Sequence, residues 1–144
     1  MILWSAQAIR ISPILRDAVE NHIATNHPEE AGGFLDCDRQ GSHLRATSHV
    51  PFENEAAKPK RFFKTVVDDR APPPPRVFYH SHTTAKSVAG LSSVDKRSIP
   101  ERFAVVIFAP RSNALSYRGF RRGVINWHEL RVEADESGSQ LARL

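Results

Sequence analysis

Two histidines two residues apart, His80 and His82, follow the apolar run Val77-Phe78-Tyr79. Side chains at i and i+2 of a strand project from one face, so both imidazoles can converge on a point at the rim of a core. Thirteen positions after His82 comes Asp95, in the first turn of a helix predicted to open at Ser92-Ser93-Val94-Asp95. Two imidazoles and a carboxylate suit Zn²⁺ with a fourth position left for water. Without a thiolate the metal keeps more of its Lewis acidity, which favours catalysis over a structural role. Taken singly, each member has an ordinary alternative: surface histidines at a strand end, or an aspartate compensating a helix dipole. Only the combination carries chemistry.

Glu30 and Ser92 complete the set. Glu30 lies in Pro28-Glu29-Glu30-Ala31-Gly32-Gly33-Phe34-Leu35, where the chain enters an apolar strand. Partial burial there raises a carboxyl pKa and fits the group for proton shuttling; the alternative is an exposed glutamate at a helix end. Ser92 stands three residues before Asp95, so its hydroxyl can cap the helix while lying near the metal side of the same turn.

The elements that must position these residues read as follows. Residues Gln7 to Ile11 form a short strand. Ser12-Pro13 is an N-cap with proline at the first helical position, and Ile14, Leu15, Ala18, Val19, His22 and Ile23 recur at helical spacing up to Asn26-His27-Pro28. Gly33 to Asp36 and Leu44 to Val50 are strands around an Arg39-Gln40-Gly41-Ser42 turn. Residues 51–60 form a loop anchored by Phe62-Phe63, and Pro72 to Pro75 is a stiff spacer aiming the strand Arg76 to His82. Ala104 to Phe108 is a buried strand, joined across Pro110-Arg111-Ser112-Asn113 to Leu115 to Phe120. A polar tail, 133–144, is expected to fray, leaving a domain over 1–132. Strands and helices mixed within one unit predict an α/β (α+β) class.

A chain of 144 residues with 40% apolar and 25% charged composition is long enough for one core and is not expected to be disordered. The longest apolar run, Phe103 to Ala109, is too short to span a bilayer, and the N-terminus shows no signal-peptide pattern. The single cysteine, Cys37, excludes an internal disulfide, a Cys-x-x-Cys site and the cysteine ligands a zinc deaminase needs. A cytoplasmic protein is expected, with no membrane partner. The net charge of +4 comes from scattered basic residues without a groove-reading motif, so nucleic acid is not the expected partner.

The pattern of Glu30 with Gly33-Phe34-Leu35, His80-Ser81-His82 and Ser92-Ser93-Val94-Asp95 resembles the JAMM (MPN-plus) zinc metalloprotease family, over roughly Gln7 to Arg121. The resemblance implies an MPN-type domain, a mixed curved β-sheet flanked by helices with cytidine-deaminase-like layering. It implies one Zn²⁺ per chain bound by His80, His82 and Asp95, with Glu30 serving the metal-bound water and Ser92 stabilising the oxyanion. The implied substrate is the C-terminal tail of a ubiquitin-like or sulfur-carrier protein, with ubiquitin-like activating or conjugating enzymes as further partners. On this reading Gly32-Gly33 leave a slot for a narrow Gly-Gly tail. Nine residues, Thr83 to Leu91, separate His82 from Ser92, two more than the family usually has, and Thr83 and Leu91 stand where prolines are usual. A non-catalytic scaffold and a nucleic-acid-associated protein are the alternatives.

Overall fold

The structure, a computed structural model, describes residues 4–84, 87–110 and 115–136. It runs β1 (Ala8–Ile11), α1 (Pro13–Asn26), β2 (Gly32–Gln40), β3 (His43–Phe52), β4 (Arg76–His82), α2 (Ser93–Ser98), β5 (Phe103–Phe108), β6 (Ser116–Arg122) and β7 (Trp127–Ala134). The strands close in the order β1-β3-β2-β4-β5-β6-β7. β2 and β3 form a long antiparallel hairpin whose turn holds Gly41 at φ 58°, and a bulge between Asp36 and Cys37 bends it. β4 pairs antiparallel with β2 and parallel with β5, while β6 and β7 continue antiparallel. The short β1 lies parallel to both β3 and β7, and so joins the two ends of the sheet.

That closure corrects the expected fold class. Over the described residues the chain is a closed seven-stranded barrel with two helices, of 14 and six residues, and not an α/β (α+β) sheet layered between helices in the cytidine-deaminase manner. The physical reason is β7. Its residues Trp-His-Glu-Leu-Arg-Val-Glu-Ala bury chiefly Leu130 and otherwise look like a solvated surface, yet they complete the ladder between β6 and β1. Strand β7 also takes in Glu133 and Ala134, where a frayed tail was expected. Asp135 beyond it is buried and accepts a 2.7 Å hydrogen bond from Arg45 Nε. Residues 137–144 lie outside the described residues, as does most of the expected β5–β6 turn, Arg111 to Asn113, although the antiparallel pairing it should connect is present.

The main core gathers Ile9, Leu35, Leu44, Val77, Tyr79, Val105 and Ile107 with Val19 and Ile23 of α1. Helix α1 starts as expected, with Ser12 Oγ accepting the Leu15 N–H and Pro13 in the first turn. Its apolar stripe is narrower than the spacing predicts, since Ile14 is 82% exposed. A second cluster, Leu91, Ile99, Ala104, Val106 and Phe120, packs beneath α2 with Phe78 and Trp127 at its margin. Strand β4 divides the two: Val77 and Tyr79 join the main core, whereas Phe78, His80 and His82 face the other way by the two-residue period.

Candidate metal centre

The last turn of β4 delivers His80 and His82 to one side, both buried, with their Nε2 atoms 3.1 Å apart. Helix α2 brings Asp95 across them: Oδ1 lies 3.2 Å from His80 Nε2 and Oδ2 lies 3.1 Å from His82 Nε2. Glu30, 3% exposed, completes a group with the two imidazoles whose ligand atoms all lie within 4.8 Å of one another. All four residues therefore meet. A tetrahedral ion with bonds of about 2.0–2.1 Å has ligand–ligand edges of about 3.3 Å. The imidazole–imidazole spacing matches such an edge, and each imidazole meets a different Asp95 oxygen at a similar distance, so the donor set present fits zinc. Asp95 contacts both rings directly, and Glu30 lies with the two rings in the group of ligand atoms within 4.8 Å.

Orientation comes from a second set of contacts. His82 Nδ1 donates to the Val88 carbonyl at 2.8 Å. A carbonyl only accepts, so this bond places the proton on Nδ1 and leaves a lone pair on Nε2 when the ring is neutral. His80 is packed by its ring against Phe78 (5.5 Å, 23°) and Phe63 (6.4 Å, 27°). Its Nδ1 is buried without a hydrogen-bond partner in the structure.

Electrostatics separate the roles of the carboxylates. Burial pushes the Glu30 carboxyl up to about 7, an effect opposed by His82 and reinforced by Asp95. Burial acts on Asp95 in the same sense. There, hydrogen bonds from His80, His82 and the Ser92 N–H outweigh it and hold the carboxyl well below the usual range. Burial disfavours a charged His82, but Asp95, the Val88 carbonyl and Glu30 together raise its pKa.

Ser92 sits in a capping box: its Oγ accepts the Asp95 N–H at 3.0 Å and its own N–H donates to Asp95 Oδ2 at 3.0 Å. The cap thereby fixes the rotamer of the carboxylate that touches both histidines. Because Oγ is the acceptor in the cap, its O–H remains able to donate elsewhere.

Three positioning residues were not anticipated. Ser81, between the two histidines, points to the opposite face of β4, where its Oγ accepts the Ala31 N–H at 2.9 Å. The Ser81 N–H also donates to the Ala31 carbonyl at 2.8 Å. Asn54 is the hub of the loop after β3. Its Nδ2 donates to the carbonyls of Glu30 (2.9 Å), Phe62 (2.8 Å) and Pro59 (3.2 Å), and its Oδ1 accepts the N–H groups of Ala56 (3.0 Å) and Lys64 (3.2 Å). Glu30 N–H in turn donates to the Pro59 carbonyl at 2.7 Å. The backbone on both sides of Glu30 is thus clamped. Thr83 adds a 2.6 Å bond from its hydroxyl to the Pro28 carbonyl. Strand alternation alone could have flagged Ser81, since a hydroxyl aimed into a core must find a partner. No spacing signals Asn54.

The lengthened segment between His82 and Ser92 is pinned at Thr83, at the Val88 carbonyl and at Leu91, which enters the second core cluster. Ala85 and Lys86 lie outside the described residues. The glycine slot, by contrast, is filled. A Cβ on Gly32 would stand 2.6 Å from the Tyr79 carbonyl and 2.7 Å from the Phe63 ring, and one on Gly33 only 2.4 Å from the Val50 carbonyl. These glycines allow the chain to pack on itself and leave no groove for a tail.

No family model and no curated protein matches the chain. Its fold is similar to the solution structure of a protein from Desulfitobacterium hafniense, with TM-score 0.67 and 16% identity over 88% of this chain and 92% of that one. It is also similar to the solution structure of a protein from Salinibacter ruber, with TM-score 0.60 and 18% identity over 89% of this chain and 92% of that one. At such identities the likeness describes the fold alone.

Proposed function

We propose that the protein is a zinc-dependent peptidase or isopeptidase, cleaving after the C-terminal tail of a ubiquitin-like or sulfur-carrier protein. One observation carries the hydrolase reading: two imidazoles and a carboxylate converge at 3.1–3.2 Å with a second, protonatable carboxylate within 4.8 Å of the imidazoles. The choice of substrate rests on the resemblance of the motif to the JAMM metalloproteases. Among the described residues no helix is long and apolar enough to cross a membrane, and a cytoplasmic setting is part of the proposal.

His80, His82 and Asp95 would hold the metal, one ion per chain. Bound zinc polarises a carbonyl and lowers the pKa of a coordinated water. Glu30, raised to about 7 by burial, can take a proton from the attacking water near neutral pH and return it to the leaving amine. The Ser92 O–H can donate to the carbonyl oxygen as charge develops there. Asn54, bonded to the Glu30 carbonyl, and Ser81, bonded to the Ala31 N–H, hold the chain at Glu30 still while its carboxylate exchanges the proton.

The test offers a ubiquitin-like domain from the same genome, extended beyond its tail, with and without a zinc chelator. Chelator-sensitive cleavage at the tail is expected, with Glu30→Gln keeping its zinc but turning over about 10²–10⁴ times more slowly. Binding without turnover, indifferent to Glu30→Gln, would instead identify a scaffold.

A further inference from the structure

Beside the paired imidazoles lies a cavity of about 470 Å³ into which His80 and Asp95 open. Its floor is Phe34 of β2 and Phe78 of β4. One wall is the 62–67 segment led by Phe63, and the other is α2 and the turn after it, with Val94 and Ile99. The size falls within the roughly 300–1,000 Å³ typical of ligand sites.

Charge at the far end is already matched. Glu101 accepts from Arg76 Nε at 2.9 Å and from Nη2 at 3.0 Å, and Arg76 also donates to the Pro72 carbonyl and lies over the Phe34 ring. Lys64 also lines the cavity but is exposed to solvent, so a charged guest group would give up its hydration against the aromatic floor, whereas an apolar one gains that floor without disturbing the Arg76–Glu101 pair. With Gly32 and Gly33 closed over by the protein itself, glycine residues of a substrate would leave the cavity empty.

We infer that the cavity is a specificity subsite for a large aliphatic or aromatic side chain next to the scissile bond, an inference that rests on the peptidase reading. The same hydrogen-bond hub, Asn54, clamps Glu30 and the carbonyl of Phe62. The wall of the subsite and the proton acceptor are therefore set by one loop.

The experiment uses short peptides identical except for Gly, Asp, Leu or Phe at each position flanking the bond. Binding is measured to the full-length, zinc-loaded Glu30→Gln protein, and turnover is measured with the unsubstituted protein. At one of the flanking positions, Leu and Phe peptides should bind at least about tenfold more tightly than Gly, with Asp weakest. Ser98→Trp and Thr65→Trp fill the cavity from opposite walls and should reduce the Phe peptide to the Gly value while zinc content stays unchanged. Equal binding of Gly and Phe, no binding by any peptide, or a preference untouched by both fillings would overturn the subsite. If the apolar preference holds in binding but nothing is turned over, the peptidase reading fails, and the cavity stands only as a binding site for an apolar side chain. Turnover without the preference is the converse result.

Discussion

Strand β4 separates two histidine clusters made from the same ring. On one face His80 and His82 turn their Nε2 atoms toward each other and toward Asp95. On the other, His49 of β3 meets the Tyr79 hydroxyl at 2.6 Å, and His22 of α1 lies edge-on to His49 at 5.8 Å. The surroundings push His82 and the His49–His22 pair in opposite directions. Burial first, then the nearby His22, lowers His49 to about 4, and burial also lowers His22. His82 is raised despite its burial, because carboxylates and a carbonyl face it. An imidazole in a core simply sheds its charge; with carboxylates converging on the same point it keeps that charge more readily.

The comparison breaks most visibly by deleting one ring from each cluster. His80→Ala or His82→Ala should drop zinc from about one per chain to almost none and abolish cleavage, since three protein ligands are the minimum for a site of this kind. His49→Gln should keep the zinc. Metal analysis of the purified variants decides this, and zinc retained by His82→Ala would mean that the ligands lie elsewhere.

Weaker effects are expected from the residues that link the metal face to its backing. Asn54→Ala or Ser81→Ala leaves backbone groups beside Glu30 without partners, at a cost of about 1–3 kcal/mol. Turnover should fall roughly 10–100-fold with zinc content unchanged, and kcat should fall more than KM rises, because the proton acceptor is displaced and the ligands are not. Ser81→Thr, which retains the hydroxyl, should recover more activity than Ser81→Ala. Gly32→Ala tests the packing between the faces: its methyl meets the Tyr79 carbonyl and the Phe63 ring. The denaturation midpoint should drop by an amount equivalent to about 1–3 kcal/mol. A variant as stable as the parent would reopen the glycine slot.

A further test concerns pH. Because His49 titrates near 4 when folded and near 6.5 when unfolded, the unfolded chain gains protons first as pH falls. Its contribution therefore destabilises the barrel progressively from about pH 6.5 to about pH 4 and levels off below that. The difference in melting temperature between the parent and His49→Gln across that window isolates the effect; a difference that does not change with pH would refute it.

Much of this arrangement is legible in local sequence. Ser12-Pro13 marks the start of α1, the Arg76 to His82 strand appears with the bounds of β4, and Ser92 with Asp95 marks the cap of α2. The convergence of His80, His82 and Asp95 follows from the strand period and a helix entrance, both short-range facts. Barrel closure is not short-range: the pairing of β1 with β7 joins Ala8 to Arg131, and nothing in Arg131 or Glu133 announces it. Asn54 escapes for a related reason, since its partners run from Glu30 to Lys64 and its amide reads locally as an ordinary loop residue. The glycines mislead in a different way. Small residues beside a carboxylate suggest space for a guest, but the space is taken by Phe63, thirty-one positions from Gly32.

The parallel seam between β1 and β7 has a consequence for recognition. Where β1 pairs with β3 over His43–Arg45 and with β7 over Arg131–Ala134, those two strand ends offer no free edge on which a guest polypeptide could lie as an added strand. A partner at the seam must then be gripped through side chains and loop backbone, with no continuous ladder of main-chain bonds to support it there. Such a grip reads the identity of individual residues more than the extended shape of a chain. The same pairing protects these two strand ends from adding to another copy of the chain strand to strand.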